Sequence, residues 1–334
     1  MNTEKNIIKL VANMMPRTSS QINGLFESDA EILEYNGKKL LFNIDEFSEE
    51  DRIRERDPYT LGWNLAVGGI SDILAAGGKP LYYAHSMVIN KSWKEEYIKQ
   101  FSSGVAAVLK KAQVGFIGGD FGSSGLWRYT AAVIGELEGK PMLRSGAREG
   151  DSIYISGRVG SGNLEAFLKL FPENEVSGKV LKPFKNTFKL RLEEARLVKK
   201  YATSCIDTSD GVFNALNAVA EMSGTGYVIK DIPYLRAGII ASGLFSIPEE
   251  LLFFGECGEY ELLFTVGKEV EAGFLGEAAE KKQVFYRIGE ISEASVKVLD
   301  GKGSKLDLSA FDARARDYDD IKLYLKKIID FIKG

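Results

Sequence analysis

Aspartates in short turn-like stretches, several of them rich in glycine, are the residues of this sequence best suited to chemistry. They are Asp29 in ESDAEI, Asp45 in FNIDEF, Asp72 in GGISDILAAGG, Asp120 in IGGDFG, and Asp207 and Asp210 in IDTSDG. Mg²⁺ takes oxygen ligands and keeps coordination positions for phosphate oxygens, and glycines let backbone N–H groups approach a phosphate closely. Each aspartate alone is most simply a helix N-cap or an Asx turn. The set predicts magnesium-assisted phosphate chemistry provided that the fold brings the side chains together.

The stretch IGGDFGSSG (117–125) contains the DFG triplet of protein kinases, but the rest of that signature is missing. The single histidine, His85, begins His-Ser-Met rather than His-Arg-Asp, and no V-A-I-K strand occurs. The Gly78-Lys79 pair is followed by proline, so a Walker A loop is missing as well. The glycines and Asp120 are therefore the part of this stretch that we expect to act.

The composition disfavours several classes of protein. The 334 residues carry a formal net charge of −4 with a pI near 5.5, which argues against nucleic acid as a partner. No apolar run reaches the ~18 residues that a membrane span needs. One histidine and two cysteines disfavour the common zinc sites and Ser-His-Asp catalysis. We expect a cytoplasmic protein with neither nucleic-acid nor membrane partners.

The scarce reactive residues are expected to be structural. His85 lies in the apolar run LYYAHSMVI and is expected in the core or at an interface. Cys205 and Cys257 are expected to be reduced thiols, and Cys257 a structural thiol rather than a nucleophile.

The elements that must position the aspartates alternate between strands and helices. In the first half, period-2 and helical patterns predict strands over 38–45, 80–89, 114–120 and 126–137, and helices over 58–78 and 92–112. In the second half they predict strands over 152–157, 260–266 and 283–291, and helices over 161–171, 186–201 and 317–332, with a further helix after the IDTSDG corner. The polar, turn-rich segment 138–151 between the halves is the predicted domain boundary.

Five stretches, in chain order, resemble the motifs of one superfamily of ATP-utilising enzymes. GGISDILAAGGKP resembles a helix ending in S-D-I-A-A-M-G-A-x-P, and IGGDFGSS resembles G-G-D-T-T. LRSGAREGD resembles R-S-G-A-x-P-G-D, IDTSDGVFNAL resembles I-D-I-S-D-G-L, and GEYELLFTV resembles G-E-D-Y-E-L-L-F-T. The superfamily includes aminoimidazole-ribonucleotide synthetase, hydrogenase-maturation and selenophosphate synthetases, and thiamine-monophosphate kinase. The motifs resemble the thiamine-monophosphate kinase branch best.

The resemblance implies a mixed α/β (α+β) fold of two domains, similar to aminoimidazole-ribonucleotide synthetase. An N-terminal domain, residues 1–140, would bind ATP and Mg²⁺ and would dimerise by pairing its strands into a β-barrel at the interface. Residues 141–334 would form a C-terminal α+β domain. The implied partners are ATP and a small phosphorylated or hydroxyl acceptor, and the implied assembly is a homodimer.

The same resemblance implies a role for individual residues. The implied metal ligands are Asp29, Asp45, Asp72, Asp120 and Asp210, of which Asp120 and Asp210 would be catalytic. The implied nucleotide-binding residues are Gly118, Gly119, Asp120, Arg144 and Ser209. For Arg144, a surface arginine in a linker is the alternative.

Departures from the kinase motifs leave the reaction open. Ser28 replaces one carboxylate of G-D-D-A-A, Gly258 stands at a glutamate position, and IDEFSEEDRIRER (44–56) lacks a His-Phe pair that belongs to the acceptor site. Glu46, Glu49 and Glu50 are favoured as a solvated loop over extra ligands. We expect an ATP-dependent phosphotransferase with thiamine monophosphate as leading acceptor. A synthetase acting on an amide or formyl oxygen and a non-catalytic nucleotide-binding relative are the alternatives.

Overall fold

The chain up to Leu137 forms one five-stranded sheet with two long helices packed against it. The computed structural model describes residues 3–48, 57–170, 186–301 and 304–334. The elements of this first part are α1 (Thr3–Met14), β1 (Glu31–Tyr35), β2 (Lys38–Ser48), α2 (Pro58–Ala75), β3 (Lys79–Asn90), α3 (Glu95–Ala112), β4 (Gly115–Ser124) and β5 (Arg128–Leu137). The strand order is β1-β2-β5-β3-β4, and all neighbours are antiparallel except β3 and β4.

Helix α2 is the central element of this part because it is buried along nearly its whole length. Asp57 caps its N-terminus by accepting a hydrogen bond from the Thr60 N–H at 3.0 Å, and Pro58 occupies the first turn. A Cβ on Gly62 would lie 2.0 Å from the Phe101 carbonyl oxygen, so glycine is what lets α2 and α3 approach this closely. The packing fixes the last turn of α2, from which one predicted ligand projects.

The first sheet exposes several large apolar side chains. Five of them, on β2, β3 and β4, are between 48% and 63% exposed: Ile44, Tyr82, Phe116, Ile117 and Phe121. A concentration of exposed apolar side chains is typical of a surface that another protein covers.

The second part forms a seven-stranded sheet with helices around it. Its elements are β6 (Ser152–Ile155), α4 (Ser161–Leu170), α5 (Leu192–Tyr201), β7 (Ala202–Asp207), α6 (Val212–Ser223), β8 (Gly226–Ile229), α7 (Arg236–Phe245), α8 (Leu251–Phe254), β9 (Leu262–Val266), α9 (Lys268–Glu280), β10 (Tyr286–Ser292), β11 (Lys297–Gly301), β12 (Ser304–Asp307) and α10 (Ile321–Lys333). The order is β12-β11-β8-β10-β6-β9-β7, and only β11 and β8 run parallel. The change of sheet falls between Leu137 and Ser152, and the assignment of nucleotide binding and dimerisation to residues 1–140 stays a prediction.

Several predicted boundaries were wrong by a few residues. Strand β2 runs three residues beyond Asp45, and β4 continues to Ser124 instead of ending at the glycine corner. In both cases pairing with the neighbouring strand continues past the predicted end, in β4 after a register shift at Gly118. The helix predicted from 186 begins at Leu192, and the closing helix begins at Ile321, where Asp320 caps it. Among the described helices, none is both long and apolar enough to cross a membrane.

Candidate magnesium and nucleotide site

The fold brings aspartates from both parts of the chain close together. Asp45 lies in β2, Asp72 in the last turn of α2, and Asp207 is the last residue of β7. Asp29 lies just before β1. Helix α2 packs against both β2 and β7, so these carboxylates meet beside its last turn.

The side chains of Asp29, Asp72 and Asp207 form a close group. Each offers one carboxylate oxygen, and these three oxygens all lie within 4.8 Å of one another. Asp29 and Asp72 are among the ligands that the family resemblance implies, whereas Asp207 belongs to the set of candidate aspartates but was given no role by the resemblance. The close group therefore includes a ligand candidate that the motif comparison had not assigned.

Arg144 is paired with the close group. Its Nε and Nη2 donate to Asp29 Oδ1 at 2.7 and 2.5 Å, and Asp29 Oδ2 accepts the backbone N–H of Asp207 at 3.1 Å. The Asp29 side chain is only 1% exposed and that of Arg144 is 24% exposed. Arg144 is thus paired with the carboxylates rather than being a surface arginine in a linker, and its predicted nucleotide binding stays a prediction.

One carboxylate oxygen of the close group has no protein partner. Asp207 Oδ1 accepts the Ser209 N–H at 3.1 Å, but Oδ2 is buried without a hydrogen bond. A buried charged oxygen without a partner is strongly unfavourable. Together with the close spacing of three carboxylates, this oxygen fits a hard cation such as Mg²⁺.

Burial and mutual repulsion raise the pKa values of these carboxyls. Burial raises the pKa of Asp45 to about 6 and that of Asp207 to about 7, and the negative charge of Asp29 adds to both. The pKa of Asp72 is well above its usual range because of burial and then the charges of Asp45, Asp207 and Asp29. Burial also raises the pKa of Asp29, although Arg144 opposes it. A divalent cation at this place would relieve the repulsion and favour the ionised carboxylates.

Asp210 lies at the exposed edge of the site. Its side chain is exposed, and its negative charge raises the pKa of both Asp45 and Glu256. Ser209, the predicted nucleotide-binding neighbour, contributes its backbone N–H to Asp207. The predicted roles of Asp210 and Ser209 stay predictions, with both residues beside the carboxylates.

Asp120 lies across the first sheet from these residues. A row of paired residues runs from Asp45 through β5 and β3 to Gly119, so three inter-strand spacings, roughly 14 Å, separate the two. Asp120 is exposed and does not belong to the close group. Over this span Asp45 and Asp120 of one protomer cannot bind the same ion directly. The role predicted for Asp120 therefore requires a second ion or a bridging phosphate chain, and it stays a prediction.

In the glycine pair before Asp120, Gly118 presents open backbone, whereas Gly119 is packed closely against β3. Gly118 has a φ of +119° and nothing within 4 Å of where a Cβ would be. A Cβ on Gly119 would lie 2.0 Å from the carbonyl oxygen of His85, whose Nδ1 is 3.1 Å from the Tyr129 hydroxyl. His85 thus supports this strand from within the sheet, and phosphate binding by the two glycines stays a prediction.

Comparison with known proteins identifies the family. The family description "AIR synthase related protein, N-terminal domain" matches residues 27–137. A thiamine-monophosphate kinase of Buchnera aphidicola subsp. Schizaphis graminum is 30% identical over 276 residues, which are 79% of this chain and 82% of that protein. The chain belongs to the thiamine-monophosphate kinase family. The thiamine-monophosphate kinase of Aquifex aeolicus is 29% identical over 82% of this chain and 88% of its own length.

Solved structures agree with membership of the thiamine-monophosphate kinase family. The structure "AaThiL complexed with AMPPCP and TMP" is 25% identical and has a TM-score of 0.71, covering 90% of this chain and 94% of that one. The HypE chain of "Crystal structure of HypE-HypF complex" is 18% identical with a TM-score of 0.73, over 92% and 99%, which is a likeness of fold alone. The motif resemblance and the mixed α/β, aminoimidazole-ribonucleotide-synthetase-like fold are confirmed.

One departure from the thiamine-monophosphate kinase motifs, at Gly258, has a physical reason. A Cβ on Gly258 would lie 1.8 Å from the Thr208 carbonyl oxygen, so no glutamate fits at this position. Glu256 supplies a carboxylate near Asp210 instead. Ser28 is buried, and its hydroxyl has no hydrogen-bond partner, so it does not replace a carboxylate by another polar contact. Glu46 is exposed, but it lies in β2 opposite Thr130 rather than in a loop, whereas Glu49, Glu50 and the rest of 49–56 lie outside the described residues.

Proposed function

We propose that the chain is a Mg²⁺-dependent kinase that transfers the γ-phosphoryl group of ATP to thiamine monophosphate, giving ADP and thiamine diphosphate. The observation that carries the proposal is the group of three carboxylates at the meeting of α2 and β7, one of which has a buried oxygen without a hydrogen-bond partner. Relatives named thiamine-monophosphate kinase that align with most of the chain support the substrate. The neighbour solved with AMPPCP and TMP supports the nucleotide.

We propose the following ligands for Mg²⁺. Asp29, Asp45, Asp72 and Asp210 keep the role implied by the motifs, and Asp207 joins them because its Oδ2 is free and buried. Asp120 lies across the first sheet, so it would bind a second ion, or it would be linked to the first ion through the phosphate chain of the nucleotide. Gly118, Gly119, Arg144 and Ser209 are proposed to bind phosphate oxygens.

The proposed mechanism is direct transfer governed by positioning and charge. Bound Mg²⁺ would supply neutralisation of the negative charge on the phosphate oxygens during transfer. Arg144 offers a planar guanidinium that can turn from Asp29 towards a phosphate. Asp72 projects from the buried helix α2 and Asp207 is buried at the end of β7, so the backbone holds both residues in place, which favours an in-line arrangement of donor and acceptor. No covalent intermediate is required, which agrees with the scarcity of histidine and cysteine.

The test is turnover with ATP, Mg²⁺ and thiamine monophosphate, with products read by mass spectrometry. Wild type is expected to form thiamine diphosphate and ADP in equal amounts. Asp72→Asn and Asp120→Asn should each lower kcat by about 100-fold or more, as loss of a preorganised electrostatic contact does. Asp319→Asn, at an exposed position before α10, is the matched control and should act like wild type.

Two other outcomes would replace the proposal. Release of inorganic phosphate without a phosphorylated acceptor would favour a synthetase. ATP binding without turnover would favour a non-catalytic relative, for which the missing carboxylate at Ser28 is the supporting observation.

We also propose that the chain works as a cytoplasmic homodimer. The exposed apolar side chains of the first sheet support pairing of two sheets into a barrel, and neither Cys205 nor Cys257, both among the described residues, forms a disulfide, as expected in a reducing compartment. Light scattering should give twice the 36.9 kDa of one chain. Phe116→Asp should shift the mass towards one chain, whereas Leu275→Asp, at a similarly exposed apolar residue of α9, should not. A monomeric wild type would refute the dimer.

A further inference from the structure

An arginine near the end of the chain lies at the open edge of the carboxylate site. Arg316 belongs to a short 3-10 turn, Ala315–Asp317, beyond the part of the sequence that carries the kinase motifs. Its Nη1 is 2.5 Å from Glu4 Oε2, and the two side chains are 49% and 48% exposed. The proposed function leaves this arginine without a role.

A chain of close contacts holds this turn beside Asp210. The loop at Gly255 and Glu256 packs against the Asp210 corner so tightly that a Cβ on Gly211 would lie 2.3 Å from the Gly255 carbonyl oxygen. The Glu256 carboxylate then accepts the N–H of Ala315 at 3.1 Å.

Helix α10 also helps to hold the turn Ala315–Asp317 beside Asp210. The hydroxyl of Tyr324, in α10, also donates to Glu256, at 3.3 Å. Arg316 therefore follows directly on a backbone position that is fixed relative to the metal-binding corner. The guanidinium also lies within electrostatic range of both Asp210 and Glu256.

We infer that Arg316 binds a phosphate oxygen of a substrate at the Asp210 edge of the carboxylate site, and that Glu4 holds its guanidinium until the phosphate arrives. The inference rests on the proposed function and assigns a further substrate-binding residue to the same site. The ligand chemistry is a phosphate group, which can come from the nucleotide or from the phosphorylated acceptor.

Arg316 can exchange its ion pair with Glu4 for a contact with a phosphate. Helix α1 packs only weakly against the rest of the protein, because every described side chain from Glu4 to Met14 is exposed except Lys5 and Ala12, which are half-buried. Lys5 pairs with Glu221 of α6, so the helix end stays nearby when Arg316 leaves. A half-exposed ion pair contributes little to stability, whereas a guanidinium and a phosphate can make two parallel charge-assisted hydrogen bonds.

The test is calorimetric titration of the full chain with MgADP, with thiamine monophosphate and with thiamine. Arg316→Gln should weaken binding of one phosphate ligand by about tenfold or more, the usual loss for a hydrogen bond to a charged group. If the acceptor supplies the phosphate, binding of thiamine monophosphate weakens and binding of thiamine is unchanged. If the nucleotide supplies it, binding of MgADP weakens instead.

Glu4→Gln gives the opposite expectation. It should leave phosphate binding unchanged or tighten it severalfold, because the arginine loses its competing partner. Arg196→Gln is the matched control, since Arg196 forms a similar exposed pair with Glu193 at 2.6 Å on α5. It should bind every ligand like wild type.

Two results would overturn the inference. One is unchanged phosphate binding by Arg316→Gln. The other is equal weakening by Glu4→Gln and Arg316→Gln, which would mean that the pair only anchors α1. If Arg316→Gln does not fold, Arg316→Lys keeps the charge and should show a smaller loss on the same ligand, and wild-type binding by that variant counts against the inference. Asp72→Asn separates this result from the proposed function, because it should abolish Mg²⁺-dependent ADP binding whatever Arg316 does.

Discussion

Replacing Asp207 by asparagine should make the metal-free protein more stable while removing its response to Mg²⁺. Asp207 is completely buried beside Asp29 and Asp72. Burial, and then the charge of Asp29, raises its pKa from 3.8 to about 7. Asparagine has nearly the same shape and can still accept the N–H of Ser209, but it carries no charge.

The magnitude follows from the difference in pKa. The folded-state pKa lies above the unfolded one, so the native state holds a proton that the unfolded chain has released between pH 4 and pH 7, and stability falls as pH rises through this window. At pH 8 the ionised side chain lowers the free energy of unfolding by up to about 4 kcal/mol. Asp207→Asn should recover part of this, on the order of 1–4 kcal/mol.

The assay is urea denaturation at pH 8, with EDTA and then with Mg²⁺. Wild type should be stabilised by Mg²⁺ through binding to the native state alone, and Asp207→Asn should be more stable in EDTA but gain much less from the ion. Asp319→Asn controls for the removal of an exposed carboxylate. Lower stability of Asp207→Asn than of wild type in EDTA, or equal stabilisation of both by Mg²⁺, would rule out this role of the Asp207 charge.

Three further changes have clear expectations. Burial raises the pKa of Glu259 to about 8, so the unfolding free energy should fall from about pH 5 to pH 8 by up to roughly 1.4 kcal/mol per pH unit from this group; Glu259→Gln should flatten the profile, and an unchanged slope in denaturant titrations would count against it. Ser28→Ala removes a buried hydroxyl without a partner and should keep wild-type stability or gain up to about 1 kcal/mol; a tenfold loss of Mg²⁺ affinity by calorimetry would instead make Ser28 a ligand. Gly258→Ala places a methyl group against the Thr208 carbonyl oxygen and should lower the unfolding free energy in urea by about 1–3 kcal/mol, whereas an unchanged midpoint would mean that the loop moves aside freely.

The parts of the fold that local patterns encode were predictable from the sequence. Helix α2 begins at Pro58 after its Asp57 cap and ends before Gly77, which has a φ of +81°, and both signals are visible in the letters. The glycine corner after 114–120 was not predictable in the same way, because glycines usually mark turns. Here β4 continues through them: the ladder to β3 shifts register at Gly118, where φ is +119°, and parallel pairing with β3 runs on from Gly118 to Ser124.

The site was predictable in its residue types but not in its grouping. Asp72 and Asp29 were found through motifs, yet no local signal distinguishes Asp207 from Asp210. All four residues from Ser204 to Asp207 are buried, so the usual alternation of inward and outward side chains along a strand does not show that the Asp207 carboxylate points into the site. The packing of β7 against α2 decides the direction of this side chain. Arg316 is joined to Glu4 from the opposite end of the chain, a contact that spacing along the sequence cannot reveal.

The most direct test of the central claim is a crystal structure grown with AMPPCP and with Mn²⁺ in place of Mg²⁺, since both ions favour carboxylate oxygens. Anomalous scattering locates the ion without reference to the chain. We expect a Mn²⁺ peak within about 2.5 Å of carboxylate oxygens of Asp72 and Asp207, with phosphate oxygens completing its shell. An ion held elsewhere, with these two side chains still facing only each other and Arg144, would contradict this expectation.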